Sequence, residues 1–164
     1  MDDTATSRGR AIVKQPGEGN SFWQPVPASG HADPKLVPLD TGFDGMSMGF
    51  QTIAPKGRVR EHSHSDQIEL QICFRGTGRV MVDDVSHDLT PGTSCFLGYD
   101  VRHEIINESD DEELVMMWVI TPAGLEDFFN AIGRPRSEGE ATPEPFARPE
   151  NVVEVERGMG MNDT

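Results

Sequence analysis

The chain has 164 residues, which fits one domain with a substantial core and is too short for two ordinary domains. Its formal net charge of −14 would repel phosphate backbones, so nucleic acid is excluded as an expected partner. No apolar run approaches membrane-spanning length, and the first residues lack the basic and then apolar order of a signal peptide. We therefore expect a cytoplasmic protein with no membrane partner.

Three segments follow one another along the chain. Residues 1–35 are polar and are predicted to form an N-terminal arm that is partly disordered. Residues 36–121 alternate short apolar runs with Gly, Pro and Asp, a pattern typical of an all-β sandwich or barrel. Residues 122–164 are predicted to form a short helix and then an extended tail rich in Pro and Glu.

Six strands and a helix are predicted within this order. The strands span residues 45–54, 67–74, 79–82, 93–97, 101–106 and 114–120. Thr121 is expected to cap the helix, with Pro122 in its first turn and apolar residues at helical spacing up to Gly133. A final helical turn is predicted over residues 151–157.

The strongest chemical signal comes from two histidines separated by a single residue. Side chains at positions i and i+2 of a strand share one face, so His62 and His64 can present two imidazoles to one ion. A short bend then brings Glu69 towards them, and His103 follows in a later strand. Three neutral nitrogens and one anionic oxygen suit a first-row divalent transition metal better than calcium or magnesium. Four ligands also leave positions open for a substrate or dioxygen, unlike a closed structural zinc site.

These residues resemble the first motif of the cupins, which are small β-barrels with two short motifs that together bind one metal. That motif is Gly, five residues, His-x-His, three or four residues, Glu, six residues and Gly. The matching residues are Gly57, His62, His64, Glu69 and Gly76. The interval after Gly57 is one residue shorter than in the motif, and the other intervals agree.

The second cupin motif is Gly, five residues, Pro-x-Gly, two residues, His, three residues and Asn. Gly92, His103 and Asn107 match it at the right intervals. Gly98 and Asp100 stand where the motif has Pro and Gly, which alters the turn before the histidine and leaves the ligand in place.

The resemblance covers about residues 40–122 and implies a single-domain cupin, a double-stranded β-helix or jelly-roll barrel, with a short C-terminal helix. It also implies a ligand set for one divalent transition metal, which consists of His62, His64, Glu69 and His103. Small metal-binding cupins similar to quercetin dioxygenase are the nearest group. Fe(II) is therefore the favoured ion, and Mn, Ni, Zn and Cu stay open.

Catalytic roles are predicted for Glu69, Gln71 and Tyr99. Glu69 is the ligand that could exchange protons, and Gln71 shares its strand face, where it could contact substrate, support the ligands or only pack. Tyr99 lies in the loop before His103, where its phenol is either an acid–base group or a rim residue. Candidates to hold a substrate carboxylate are Arg60, Arg75 and Arg102.

The rest of the cavity is expected to be apolar. Its predicted lining consists of Met48, Phe50, Phe96, Val115, Met117 and Val119. Such walls suit a small organic substrate, including an aromatic one. No second cofactor is predicted.

The function predicted from these residues is a metal-dependent enzyme acting on a small organic molecule. A non-haem iron dioxygenase is the leading reaction, because the predicted strands place no convincing general base outside the ligand set. The alternatives are a redox-neutral isomerase, lyase or decarboxylase, and a noncatalytic cupin that only binds a small ligand.

The strand after the histidines also predicts an interface. If its Glu69 face lines the cavity, the opposite face presents Ile68, Leu70, Ile72 and Phe74. An apolar patch of this size is seldom left in water, so a homodimer is predicted through it. Cover by residues 11–30 of the same chain is the alternative.

Overall fold

The structure is a computed structural model that describes residues 9–163, so the disorder expected at the start of the N-terminal arm falls partly on residues outside this range. The strands are β1 (Phe22–Trp23), β2 (His31–Leu36), β3 (Ser47–Ile53), β4 (Arg58–His64), β5 (Ile68–Arg75), β6 (Gly78–Val82), β7 (Val85–Leu89), β8 (Ser94–Leu97), β9 (His103–Ile106), β10 (Leu114–Thr121), β11 (Arg134–Pro135) and β12 (Met161–Asp163). The helices are α1 (Pro38–Thr41), α2 (Leu125–Ile132) and α3 (Val152–Gly158). None of these helices combines the length and the apolar composition needed to cross a membrane.

The strands form two antiparallel sheets. One has seven strands in the order β11-β1-β2-β3-β10-β5-β8, and the other has five in the order β12-β4-β9-β6-β7. Neighbours in sequence are often not neighbours in the sheet, as expected for a jelly roll. The predicted all-β barrel with a short helix is confirmed.

Alternation of buried and exposed residues defines the inner face of the larger sheet. One core cluster contains Ile53, Cys73, Val80, Leu89, Ile105, Leu114 and Met116. A second cluster lies beneath α2 and contains Phe22, Ala32, Trp118, Ile120, Leu125, Phe128, Phe129, Ile132 and Met161. Glu69 shares β5 with Cys73, and His103 shares β9 with Ile105, so buried packing fixes the strands that carry these two ligand candidates.

Three predicted features differ from the structure. The sheet begins at Phe22, inside the predicted arm, because β1 pairs with β2 and β2 pairs with β3. The expected cap Thr121 instead ends β10, where it pairs with Ile68 and its hydroxyl donates to the carbonyl of Gly45 at 2.7 Å. The helix therefore starts later, at Leu125. Strand β7 escaped prediction because four of its five residues are exposed.

Asn107, the last residue of the second motif, is a buried clamp between loops. Its Nδ2 donates to the carbonyl oxygens of Ile53 at 3.0 Å, Ala54 at 3.1 Å and Glu112 at 2.8 Å. Its Oδ1 accepts a hydrogen bond from the Ser109 amide at 3.0 Å. One side chain thus ties the end of β9 to the segments that follow β3 and precede β10.

The C-terminal segment folds back over the site. The carbonyl of Phe146 accepts a hydrogen bond from the Val26 amide at 3.0 Å, and β12 pairs with β4 in a register that sets Met161 opposite His64. The predicted final helical turn is confirmed as α3. The strand carrying two ligand candidates is therefore an interior strand of its sheet.

Candidate metal centre

Four buried side chains converge inside the barrel from three strands. His62 and His64 end β4, Glu69 lies in β5 and His103 begins β9. Their candidate ligand atoms all lie within 4.8 Å of one another. Glu69 Oε2 is 3.5 Å from His64 Nε2 and 3.3 Å from His103 Nε2. The strand periodicity and the bend expected from the sequence bring His62, His64 and Glu69 together, and the pairing of β9 with β4, which sets His103 opposite His62, adds the fourth member of the predicted ligand set.

Backbone carbonyls orient two of the imidazoles. His62 Nδ1 is 2.9 Å from the carbonyl oxygen of Arg60, and His103 Nδ1 is 3.0 Å from that of Val101. Because a carbonyl can only accept, each Nδ1 carries a proton and donates it. In the neutral ring the lone pair then lies on Nε2, which is the arrangement that metal-ligating histidines use.

Four other buried polar atoms of the cluster have no hydrogen-bond partner among the described residues. They are both ring nitrogens of His64, Glu69 Oε2 and His103 Nε2. Buried polar atoms without partners cost free energy, and a divalent cation would satisfy several of these lone pairs at once. The donor set of three imidazoles and one carboxylate therefore fits a divalent transition metal.

Ionisation of the cluster also suits metal binding. Burial and the neighbouring His103 and His64 lower the pKa of His62 well below its usual value, which keeps this ring neutral. Burial alone would raise the pKa of Glu69, but the adjacent His103 and His64 outweigh it and lower the pKa well below the usual range. Burial likewise opposes charge on His103, yet Glu69 raises the pKa of that imidazole. The centre thus holds a carboxylate anion among imidazoles, and a cation would be stabilised there.

A small cavity of about 50 Å³ adjoins His62 and Glu69. Its polar lining residues are Gln24, Gln51, Arg60, Gln71 and Arg148. The helix α2 covers one side of it with Leu125, Phe128, Phe129 and Ile132. The cavity opens to solvent on one side, and the space of about 50 Å³ next to the ligand candidates has room for a few waters or for the reacting end of a small molecule.

A comparison with family models matches residues 49–120 to the family described as "Cupin domain". The chain contains a cupin domain. The match runs from β3 through β10 and includes all four ligand candidates, so the resemblance seen in the two motifs is confirmed.

One curated relative of the cupin domain is Protein SchB from Streptomyces halstedii, which is 34% identical over 77 residues. That alignment covers 47% of this chain and 56% of SchB, so the chain spans little more than half the length of the relative.

Solved structures share the fold at low identity. A predicted oxalate decarboxylase from Thermotoga maritima has a TM-score of 0.57 and 16% identity, and the match covers 69% of this chain and 100% of that chain. KdgF from a Halomonas species has a TM-score of 0.55 and 12% identity, with 64% of this chain and 89% of that chain covered. At such identities the likeness shows the fold alone.

The six residues expected to line the cavity do not line it, although most of its wall is apolar as expected. On β3 and β10 the register sets Met48 opposite Val119 and Phe50 opposite Met117, and all four point away from the barrel interior. The inward residues are the alternating neighbours, among them Gln51 and Gln71. Successive side chains of a strand point to opposite faces. An assignment that is wrong by one residue therefore replaces every predicted lining residue of that strand by its neighbour. The inward strand residues are therefore polar, and the apolar part of the cavity wall comes instead from α2 and from the segment that contains Pro25 and Pro27.

Gln71 and Tyr99 have different surroundings. Gln71 is 4% exposed, lines the cavity, and its Oε1 has no hydrogen-bond partner among the described residues. Tyr99 is 56% exposed in the turn after β8 and is not among the described residues that line the cavity. The structure therefore places Gln71 beside the ligands and Tyr99 at the surface.

Of the three candidate arginines, only Arg60 lines the cavity. Arg75 pairs with Glu113 at the surface, and the guanidinium of Arg102 donates to the exposed Asp84. The sequence offered no way to distinguish the three arginines, because each lies close to a predicted strand or to the two histidines of the first motif.

Sequence reasoning missed Arg148, which lies in the tail that was expected to be exposed. Its guanidinium and that of Arg60 both donate to Oε1 of Glu156, a carboxylate that is buried on α3. Burial and the nearby Arg148 lower the pKa of Arg60, as expected for two cations held close together. Nothing in the Pro- and Glu-rich composition of the tail indicated that it contributes to the cavity.

Proposed function

We propose that this cupin domain is a metal-dependent dioxygenase that acts on a small organic acid. The observation that carries the choice of reaction is the cavity lining. Among the described residues that line it, every titratable side chain is either a ligand candidate or an arginine. A redox-neutral proton transfer needs a positioned base, whereas oxygenation can proceed without one.

The substrate class is proposed from the arginines. A guanidinium has five N–H donors, so Arg148 can bond Glu156 and still donate to a substrate carboxylate. Arg60 lies two residues before the ligand His62, which brings cationic and metal-binding groups to one cavity. A small acid that also carries an oxygen donor could bind the arginines through its carboxylate and the metal through that oxygen.

Each group has a definite task in this proposal. His62, His64, Glu69 and His103 would hold the ion, which when bound supplies Lewis acidity and, for an iron-type ion, electron exchange with dioxygen. Gln71 Oε1 accepts a hydrogen bond from a hydroxyl or enol group of the substrate. Phe128 and Phe129 exclude bulk water from the reacting atoms.

The test begins with the metal content of protein purified without chelator. Protein loaded with Fe(II) under nitrogen is then given enols, β-diketones and catechols, with and without a carboxylate, in an oxygen electrode. We expect one metal per chain and oxygen uptake that depends on a carboxylated substrate. His103→Ala should abolish both, whereas His87→Ala, an exposed histidine on β7, should change neither.

The other outcomes separate the alternatives. Turnover without oxygen uptake would favour a redox-neutral reaction, a class that includes the decarboxylation for which the Thermotoga maritima protein is named. Metal-loaded protein that binds an acid without any turnover would favour a noncatalytic binding cupin. Absence of any bound transition metal would contradict the proposal at its base.

A further inference from the structure

The space beside the ligand candidates is small for the molecules that the site is proposed to bind. The cavity next to His62 and Glu69 measures about 50 Å³, whereas sites for small organic ligands usually measure roughly 300 Å³ or more. An acid that reaches both Arg148 and an ion at the ligand candidates needs more room than a few waters do. At least one wall of the cavity must therefore move when such an acid binds.

Two of the walls are fixed by the packing of the barrel. The helix α2 contributes Leu125, Phe128, Phe129 and Ile132, which are buried in one core cluster with Trp118. The strand β5, which carries Glu69 and Gln71, pairs with β10 on one side and with β8 on the other. Moving either wall would expose apolar side chains to water, at about 1.5–3 kcal/mol for each large one.

The wall formed by the C-terminal residues is held in a different way. Arg148 and Met161 line the cavity, with α3 between them in the chain. Among the described residues of α3 only Glu156 is buried, at 3% exposed, and its Oε1 accepts hydrogen bonds from Arg60 and Arg148. When a buried ion pair separates, water solvates both partners and offsets much of the lost attraction. This wall is thus anchored by an interaction that water can replace.

The connections of the same wall to the rest of the chain also permit movement. Residues 137–145, which lead into it, form neither helix nor strand, and all except the half-buried Pro143 are exposed. Its backbone contacts include one hydrogen bond from the Val26 amide to the Phe146 carbonyl and the pairing of three residues of β12 with β4. A segment held by few backbone contacts is one that opens locally while the core stays folded.

We propose that residues 146–163 are a gate over the metal centre and that Glu156 is its latch. When the gate opens, Glu156 leaves the two guanidinium groups, the cavity widens on the side of Met161, and a small molecule enters. When the gate closes, the latch returns Arg148 to the cavity wall. The proposal rests on the proposed function for the acid that is admitted, and the movement itself is tested without substrate.

The test places a cysteine in the cavity and measures how fast it reacts. Gln51→Cys is the reporter, because Gln51 is 8% exposed and lines the cavity. N-ethylmaleimide, which is larger than the closed space, is added, and peptide mass spectrometry gives the rate of labelling at position 51. Cys73, which is 1% exposed in the other core cluster, reports global unfolding in the same sample. Labelling with and without a chelator makes the result independent of the metal.

Weakening the latch should accelerate labelling in the cavity. Glu156→Gln, added to the reporter, should raise the rate at position 51 about ten-fold or more, because charge-assisted hydrogen bonds to Arg60 and Arg148 are lost. The rate at Cys73 should change little. Glu154→Gln is the matched control, since Glu154 is exposed on the same helix, and it should change neither rate.

A disulfide between β4 and β12 should have the opposite effect. Ser63 and Asn162 are paired across these strands, which brings their side chains within reach of a disulfide. With Ser63→Cys and Asn162→Cys added to the reporter and the disulfide formed, labelling at position 51 should fall about ten-fold or more below that of the reporter alone after the same oxidation. Each single variant, treated alike, should react as the reporter does.

Three results would overturn the gate. They are equal rates at position 51 with and without the disulfide, a rate that Glu156→Gln leaves unchanged, and a rise at Cys73 as large as the rise at position 51. The last of these would mean that the whole fold opens rather than the C-terminal wall. Failure of the proposed function appears elsewhere, as absent metal or absent oxygen uptake, and leaves the labelling rates as they are.

Discussion

The backbone carbonyl of Arg60 accepts the Nδ1 proton of His62 at 2.9 Å, while the side chain of the same arginine bonds the buried Glu156 of α3. One residue of β4 therefore orients a ligand candidate through its main chain and holds the C-terminal helix through its side chain. This connects the closure of the cavity to the geometry of the metal centre.

Metal removal should lower the stability of the protein. The apo centre leaves buried lone pairs of His64, Glu69 and His103 without partners, so an ion that binds only the folded state stabilises it by mass action. A chelator should lower the calorimetric midpoint by about 5–10 °C, as for loss of an ion present at about 100 times its Kd. His103→Ala should show no response to the chelator. Equal responses in the two proteins would place the ion elsewhere.

Asn107→Ala should destabilise the fold without removing a ligand. It leaves three carbonyls and one amide without their partner at a position that is 1% exposed, so we expect a loss of about 2–4 kcal/mol in the free energy of unfolding. Asn107→Asp should cost at least as much, because it aims a carboxylate at carbonyl oxygens. Asn130→Ala, at an exposed site on α2, should cost little. Urea unfolding measures all three, and an Asp variant as stable as the native chain would contradict the clamp.

Glu156→Ala should loosen the C-terminal segment. The substitution removes a buried carboxylate and leaves Arg60 and Arg148 facing each other, which should cost about 2–4 kcal/mol. Glu154→Ala is the control on the same helix, where the side chain is exposed. Hydrogen exchange should show faster exchange in β12 and α3 for the first variant only. Unchanged exchange there would mean that the ion pairs do not hold the segment.

Arg148→Ala should weaken substrate binding under the proposed function. Loss of hydrogen bonds to a charged group, about 1.5–3 kcal/mol, corresponds to a rise in KM of about 10- to 100-fold for a carboxylated substrate. The KM for an analogue without the carboxylate should change little. Arg75→Ala, which removes a surface guanidinium paired with Glu113, should leave both values unchanged. An equal loss on both substrates would assign Arg148 a purely structural role.

Local chain geometry made part of the ligand set and the all-β fold class predictable. The two-residue period of a strand places His62 and His64 on one face, and alternating apolar runs predict a β-barrel without any knowledge of distant contacts. The same period predicted that Leu70 and Phe74 lie opposite Glu69, as the structure shows. These features depend on residues close together in the sequence.

The sequence by itself thus determined an all-β fold and the closeness of His62, His64 and Glu69, because both follow from spacing within single strands and a short bend. His103 lies on a later strand and was assigned as a ligand through the resemblance to the second cupin motif. Only the tertiary structure decided the cavity. Which of the alternating residues of β3 and β10 face inward depends on the pairing of these strands with each other and with β5. Arg148 and Glu156 reach the site because the C-terminal segment returns to pair with β4. Pairing between strands far apart in sequence depends on the packing of the whole core, and no local pattern encodes it.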